Sequence, residues 1–535
     1  MKLPERLKKL RKDDIVAIVC ALFILVVAIV SIASGAAGRN AGVADKDVPP
    51  EALILTGTAP GRNGDITVQI AATPERIYQI KVIDQNETEG IGSKAVTTLP
   101  GAIYQAQDLR VDAVSSATIS SEAIKAAVTN ALISGGIDPA NFGGYVVKAD
   151  TVPIRVDTGT KVEVIHAADW AERYPEIYES WNMTRESDDI DDYLEIYPML
   201  TTLYYPYGFA KDYGSARGHY YDLEDIRATE RPHKFANCWT CKTPDFTNMV
   251  NTDGVQAYKY DWNDVDKEIV EGISCFNCHA NEPGKLIVTH TYWIDALGDD
   301  FEKVDAENMA CGQCHNEYYF DPETGATSIA HNSIESMAPE SMLAFFNDGS
   351  NFPNGEPFYD YYNDRTGVYQ IKVQHPEFET YLGEGSQHRA TYTCADCHMP
   401  TVTDEYGGSY RSHNLISPLD NPELLENECS KCHADLESEV RATQEKVEAR
   451  TYSIGYELEY LTELLTEMTA SGQYSDEQLA EARALARDAQ FYWDFVFVEN
   501  AEGAHNPTLT YDCLDRAEAL TNQAINLLKK IMIKE

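Results

Sequence analysis

The sequence predicts three parts in series: one transmembrane helix, a small α+β domain, and a larger, mainly α domain that ends in long helices. Three observations carry this prediction. An uncharged stretch runs from Ile15 to Gly38 behind a basic N-terminus. From Asp65, two runs alternate apolar and polar residues, and a segment of helical period follows them to Leu132. Beyond that, five Cys-x-x-Cys pairs are succeeded by helical periodicity that lasts to the C-terminus. The chain has 535 residues, room for about three to four domains. Its 43 basic residues against 86 acidic ones leave a net charge of −43, which repels phosphate backbones and excludes nucleic acid as a partner.

The N-terminal segment, 1–38, carries Lys2, Arg6, Lys8, Lys9, Arg11 and Lys12 before the apolar run. Ile15 to Ala33 is about the length needed to cross a hydrocarbon layer. Basic residues ahead of the span keep the N-terminus in the cytoplasm. The expected localisation is therefore the cell membrane, single-pass, with everything downstream on the extracytoplasmic side. A cleaved signal peptide ending near Ser34-Gly35-Ala36 is the alternative, and the length of the run favours a retained anchor. Cys20 does not read as a lipoprotein cysteine, because Val19 precedes it and apolar residues follow.

Residues 39–60 mix Gly, Ala, Pro and charges without a period and read as a linker. The α+β domain is expected over 61–148: strands DITVQIA and RIYQIKVID, the glycine-rich turn ETEGIG (87–92), then a helix through Ile124, Val128 and Leu132 with Ser120 or Ser121 as N-cap. With Leu99-Pro100 and D-x-x-S-S-A-T-x-S at 112–120, this stretch resembles the FMN-binding domain of subunits of sodium-translocating NADH:quinone reductases. The resemblance implies FMN as cofactor, held around Thr118 and Ser120, with the flavin phosphate esterified to the last hydroxyl of the motif, Ser120. That family usually has Gly where this chain has Ser116, and often Thr where it has Ser120. A second linker is read over 149–165.

The cysteines carry the strongest signal. Cys238 and Cys241 precede Lys242; Cys275 and Cys278 precede His279; Cys311 and Cys314 precede His315; Cys394 and Cys397 precede His398; Cys429 and Cys432 precede His433. C-x-x-C-H attaches c-type haem through two thioethers, and the adjacent His becomes an axial ligand of the iron. A disulfide or zinc reading leaves the fourfold repeat of His at one offset unexplained. Thirteen His are enough for four proximal and four distal ligands with five to spare. The exception, Lys242, reads either as a drifted electron-transfer haem or as a five-coordinate haem whose open side takes substrate.

CWTCK together with four CxxCH motifs resembles the pentahaem, ammonia-forming cytochrome c nitrite reductases. YPEIYESW (174–181), ARGHYYDLEDI (216–226), CGQCHNEYYF (311–320), KVQHPEFETY (372–381) and CADCHMP (394–400) extend the likeness from about Trp170 to the C-terminus. The resemblance implies a pentahaem catalytic domain over 166–433, five c-type haems and six-electron reduction of nitrite to ammonium, with hydroxylamine and sulfite as side substrates. It makes Lys242 the proximal ligand of the catalytic haem. His279, His315, His398 and His433 then serve haems two to five in chain order, with distal His413, His219, His505 and His388. The distal catalytic trio becomes Arg231, with Arg227 as runner-up, Tyr318 and His375. It also implies calcium on the Glu317 side chain, the Tyr318 and Lys372 carbonyls and the Gln374 side chain, hard oxygen donors that suit this ion.

Residues 434–470, 475–500 and 508–533 show long helical periodicity, and the C-terminal region 434–535 is expected to cap the haems and to dimerise. A membrane quinol-linked donor is the expected source of electrons, with the flavin domain as their way in. The competing function is a multihaem flavocytochrome electron conduit, or a reductase of another small oxyanion or hydroxylamine. A conduit needs none of Lys242, Arg231, Tyr318 and His375.

Overall fold

The computed structural model describes residues 42–44, 48–142 and 152–533, apart from 63, 89–91, 110, 112–113, 115–116, 136, 138, 233–234 and 404–408. The expected membrane anchor, 1–38, lies outside the described residues. Among the described residues no helix is long and apolar enough to cross a membrane. The chain divides into two compact units, 1–146 and 147–535.

The first unit is a four-stranded antiparallel sheet of order β1-β4-β3-β2: β1 Gly42–Ala44, β2 Leu53–Gly61, β3 Gly64–Thr73 and β4 Arg76–Asp84. Alternation along β3 puts Ile66, Val68 and Ile70 on the covered face, where they meet Val96, Leu99 and Ile103 of α1 (Gly92–Ala106) and Ile124, Val128 and Leu132 of α2 (Thr118–Ser134). Residues 39–60, expected to be a linker, instead supply β1 and most of β2. Glycine, which masks the strand in composition, is what the packing requires. A Cβ on Gly57 would sit 2.1 Å from the Ala127 carbonyl oxygen, so only glycine lets α2 lie against β2. The helix also starts earlier than expected. Ser120 and Ser121 are in its first turn rather than at the cap, and Ser121 Oγ donates to the Ala117 carbonyl at 2.9 Å while accepting the Val114 N–H at 3.0 Å.

The second unit has two textures. Residues 152–433 form short helices, 3-10 turns and two-stranded ribbons, the texture of a chain that shapes itself around bulky groups. Residues 436–533 form three long helices: α8 Leu436–Ser471, α9 Asp476–Phe497 and α10 Pro507–Ile533. Among the short helices are α3 Asp222–Ala228, α4 Cys275–His279, α5 Ala306–Gly312, α6 Glu377–Leu382 and α7 Cys394–His398. Gly472, left-handed at φ 64°, ends α8, and the Ser475–Gln478 capping box starts α9. Trp493 of α9 is fully buried, stacked on Phe497 at 4.8 Å, with its indole N–H on the Thr451 carbonyl at 2.7 Å. Gly455 of α8 leaves the space that Trp493 fills. Arg487 of α9 fastens the bundle to the substrate-side loops through Asn347, the Tyr369 carbonyl and the Phe358 carbonyl.

Candidate multihaem site

Each Cys-x-x-Cys pair lies on or beside a single helical turn, which puts both sulfurs on one side and the next residue just beyond. Cys275–His279 forms α4, capped reciprocally by Ser274 and Asn277. Cys394–His398 forms α7, capped by Thr393 and Asp396. Cys238 lies in the 3-10 turn Ala236–Trp239, Cys311 ends α5 (Ala306–Gly312), and Cys429 opens a 3-10 turn. The turns sit against one another. Cys241 meets Cys314, and Cys311 meets Cys394. His290 joins the first of these contacts, its Nδ1 on Gln313 Oε1 and its Nε2 on the Thr240 carbonyl, both at 2.9 Å.

The fold then brings histidines from distant segments face to face. His279 and His413 have ring centroids 6.3 Å apart, His219 and His315 6.2 Å, His398 and His505 6.1 Å, and His388 and His433 5.9 Å. Two metal–imidazole bonds of about 2 Å, with the ring radii added, span about 6 Å. Most of these rings already use Nδ1 elsewhere. His279 Nδ1 meets the Lys285 carbonyl at 2.6 Å, His398 the Ile416 carbonyl at 3.1 Å and His413 the Arg411 carbonyl at 3.0 Å. His433 meets Glu439 at 2.8 Å and His505 meets Glu499 at 2.6 Å. Nε2 is thereby the free ligand atom. Burial holds His219, His315 and His398 down to about 4, in the neutral form that binds metal. The donor set fits c-type haem.

Lys242 differs from the proximal histidines in more than identity. Its Nζ lies 3.1 Å from Asp222 Oδ1, on α3 (Asp222–Ala228), and this carboxylate raises the lysine pKa. Arg231 and Tyr318 also lie near this motif. Arg231 Nε donates to Thr229 Oγ1 at 2.9 Å, its guanidinium lies 4.4 Å from the Phe209 ring, and its charge acts on Cys238. Arg227 instead pairs with Asp266 at 2.8 Å, its guanidinium 5.9 Å from the centre of the Trp239 ring within the motif. Tyr318 opens β5 (Tyr318–Phe320), with Cys241 and Cys238 as close neighbours, and burial pushes its hydroxyl pKa well up. His375 faces His315 at 6.3 Å between centroids, and its Nδ1 lies 3.9 Å from Glu377 Oε1. Burial would raise the Glu377 carboxyl, but His375 and His315 hold it down to about 2.

Three of the four expected calcium donors, Glu317, Lys372 and Gln374, also meet. Gln374 N–H donates to Glu317 Oε2 at 2.6 Å, and its side-chain amide contacts the Lys372 carbonyl at 2.9 Å. Glu317 Oε1 is buried with no hydrogen-bond partner, and burial raises this carboxyl well above its usual range. An orphaned carboxylate oxygen among carbonyl and amide oxygens fits a hard cation.

In the first unit, the Ser120 hydroxyl donates to the Glu87 carboxylate, and both are buried. A Cβ on Gly92 would strike both side chains, so glycine leaves room for the Ser120–Glu87 contact. The side chain of Thr118 lies outside the described residues.

Comparison with known proteins agrees with this geometry. The sequence profile of cytochrome c552 matches residues 166–535, and that of the FMN-binding domain matches residues 61–133. The chain belongs to the cytochrome c552 family. A cytochrome c-552 of Aliarcobacter butzleri is 30% identical over 391 residues, covering 68% of this chain and 76% of that one. A cytochrome c-552 of Maridesulfovibrio salexigens is 28% identical over 420 residues, 72% and 79%. Among solved structures, the cytochrome c nitrite reductase catalytic subunit of Desulfovibrio desulfuricans, reported with two calcium sites, superposes with a TM-score of 0.61 at 28% identity, covering 68% and 86%. This cytochrome c552 is thus a mainly helical haem protein that carries a small FMN-binding domain ahead of its haem domain.

Several residues of the cytochrome c552 site escape sequence reasoning. Asp222 beside Lys242, Glu377 between His375 and His315, and Glu499 behind His505 are acidic residues in a chain full of them. Their only local signal is adjacency: Asp222 three residues after His219, and Glu377 two after His375.

Proposed function

We propose that this cytochrome c552 reduces nitrite to ammonium with six electrons, at a haem whose proximal ligand is Lys242. The observation that carries the reading is the proximity of Arg231 and Tyr318 to the one Cys-x-x-Cys motif that ends in lysine; His375 lies against His315 and Glu377. Five haems on the five motifs would supply the electrons, and the lysine-ended one an open iron face. The chain's own residues do the rest. Arg231 binds the anion and polarises the N–O bonds as both oxygens leave as water. The Tyr318 hydroxyl donates a hydrogen bond to the bound oxyanion, and His375 holds a proton at its imidazole. Calcium on Glu317, Tyr318, Lys372 and Gln374 would tie the segments bearing Tyr318 and His375 and add positive potential where the anion arrives.

The FMN-binding domain is read as the electron inlet, since a flavin accepts electrons in pairs and releases them singly. A quinol-linked donor, an anchor over 1–38 and an extracytoplasmic haem domain complete the reading. Exposed Tyr452, Tyr456 and Tyr460, one turn apart along α8, offer the face for a homodimer. The test is stoichiometric ammonium production from nitrite by the purified protein with a reduced dye, together with a high-spin haem in its visible spectrum. Only low-spin haem and no ammonium would leave an electron conduit.

A further inference from the structure

An axial imidazole gives one nitrogen to iron and the other to the protein, and what the second nitrogen meets differs along the four pairs. At His279, His413 and His398 it meets backbone carbonyls. At His315 the nearest acceptor, Glu377 Oε2, is 4.0 Å away, and the buried Nδ1 of His219 has no hydrogen-bond partner among the described residues. Among the described residues, only His433 and His505 of these ligands meet carboxylates at hydrogen-bond distance. Glu439 is 53% exposed, so water screens it. Glu499 is 3% exposed and only 2.6 Å from His505 Nδ1, and its second oxygen accepts the Gly503 N–H at 3.3 Å, which fixes its orientation.

A carboxylate that accepts the Nδ1 proton makes the ring a stronger donor and favours ferric over ferrous iron, and burial strengthens the effect. We propose that Glu499 is a positioning residue that sets the haem held between His398 and His505 to the lowest reduction potential of the four bis-histidine haems. The inference rests on that axial pairing and goes beyond the function proposed above. It has a consequence for electron flow. Cys394 of this haem's motif meets Cys311 of the preceding motif, whose second cysteine, Cys314, meets Cys241 beside Lys242. An electron that has passed the low-potential site must climb to return. The chain thereby retains electrons near the catalytic haem while six accumulate.

The test is a spectropotentiometric titration of the full-length protein and of Glu499→Gln, Glu499→Asp and Glu439→Gln, with haem counted in each. Glu499→Gln keeps an acceptor but removes the charge, so one midpoint should rise while the others hold and haem content stays at the wild-type level. Glu499→Asp should stay close to wild type, and Glu439→Gln should give a smaller rise in a different haem. Unmoved midpoints in fully loaded Glu499→Gln overturn the proposal. Loss of one low-spin haem in both Glu499 variants also overturns it, because the residue then only holds His505 in place. A His505→Ala variant that leaves every low-spin signal intact would remove the axial pairing itself, and the proposal with it.

Discussion

Lys242 shows how one side chain changes the chemistry of a repeated motif. Four motifs end in an imidazole that needs no deprotonation near neutral pH. The fifth ends in an amine that Asp222 holds as an ammonium until a metal displaces the proton. Lys242→His should keep all haems attached, since the ten cysteines are untouched, and should lower nitrite turnover several-fold through the changed axial donor. Haem counting beside ammonium assays checks this, and full activity would remove the lysine from the mechanism. Arg231→Leu and His375→Asn should each cost turnover about 10²-fold or more with haem content preserved, as expected for groups that act on the reacting anion. Equal losses of haem and turnover would make them structural.

At the scale of elements, the long helices were legible because their apolar period persists for dozens of residues; the observed spans Leu436–Ser471, Asp476–Phe497 and Pro507–Ile533 lie within a few residues of the expected ones. β1 and β2 were not, because Gly57 and the alanines that allow α2 to approach give the strand a linker's composition. The proximal ligands are written into fixed-offset motifs, whereas Glu377, Asp222 and Glu499 act only through tertiary proximity and have no motif. The bundle makes its own prediction. Trp493→Ala should destabilise the protein by about 3–5 kcal/mol, from lost burial and a residual cavity, read by thermal unfolding.

The calcium loops give a pH-dependent one. Burial pushes Glu317 well up and Asp360 up to about 7, so without a cation the folded protein binds more protons there than the unfolded chain. That contribution is present in full below the unfolded carboxyl pKa of about 4 and is lost as pH rises through about 7. A bound cation offsets the loss by favouring the ionised forms. Chelation should therefore lower the melting temperature more at pH about 7.5 than at pH about 5.5. An equal loss at both would separate calcium from these carboxyls.

For the whole molecule, the fusion of a flavin-type domain to a cytochrome c552 domain is the organising fact. A peptide containing Ser120 should carry the mass of an added FMN if its hydroxyl is esterified. Deleting residues 61–148 should slow reduction by quinol while leaving dye-driven nitrite reduction intact. Unchanged quinol-driven rates would sink the inlet role, whatever the flavin content.

The four histidine pairs also interlock along the chain. His279 is passed before His315 closes on His219, and both His388 and His398 are passed before His413 closes on His279. With iron between each pair, the protein is stapled by overlapping loops, several of them about a hundred residues long. A cross-link of that span restrains the unfolded chain by about 4–5 kcal/mol in the loop-closure account. The last staple waits for His505, close to the C-terminus. A polypeptide released before that point would present a second open iron, free to bind small ligands on the wrong haem. With the proposed ligation, synthesis through His505 is what would restrict open coordination to the single site beside Lys242.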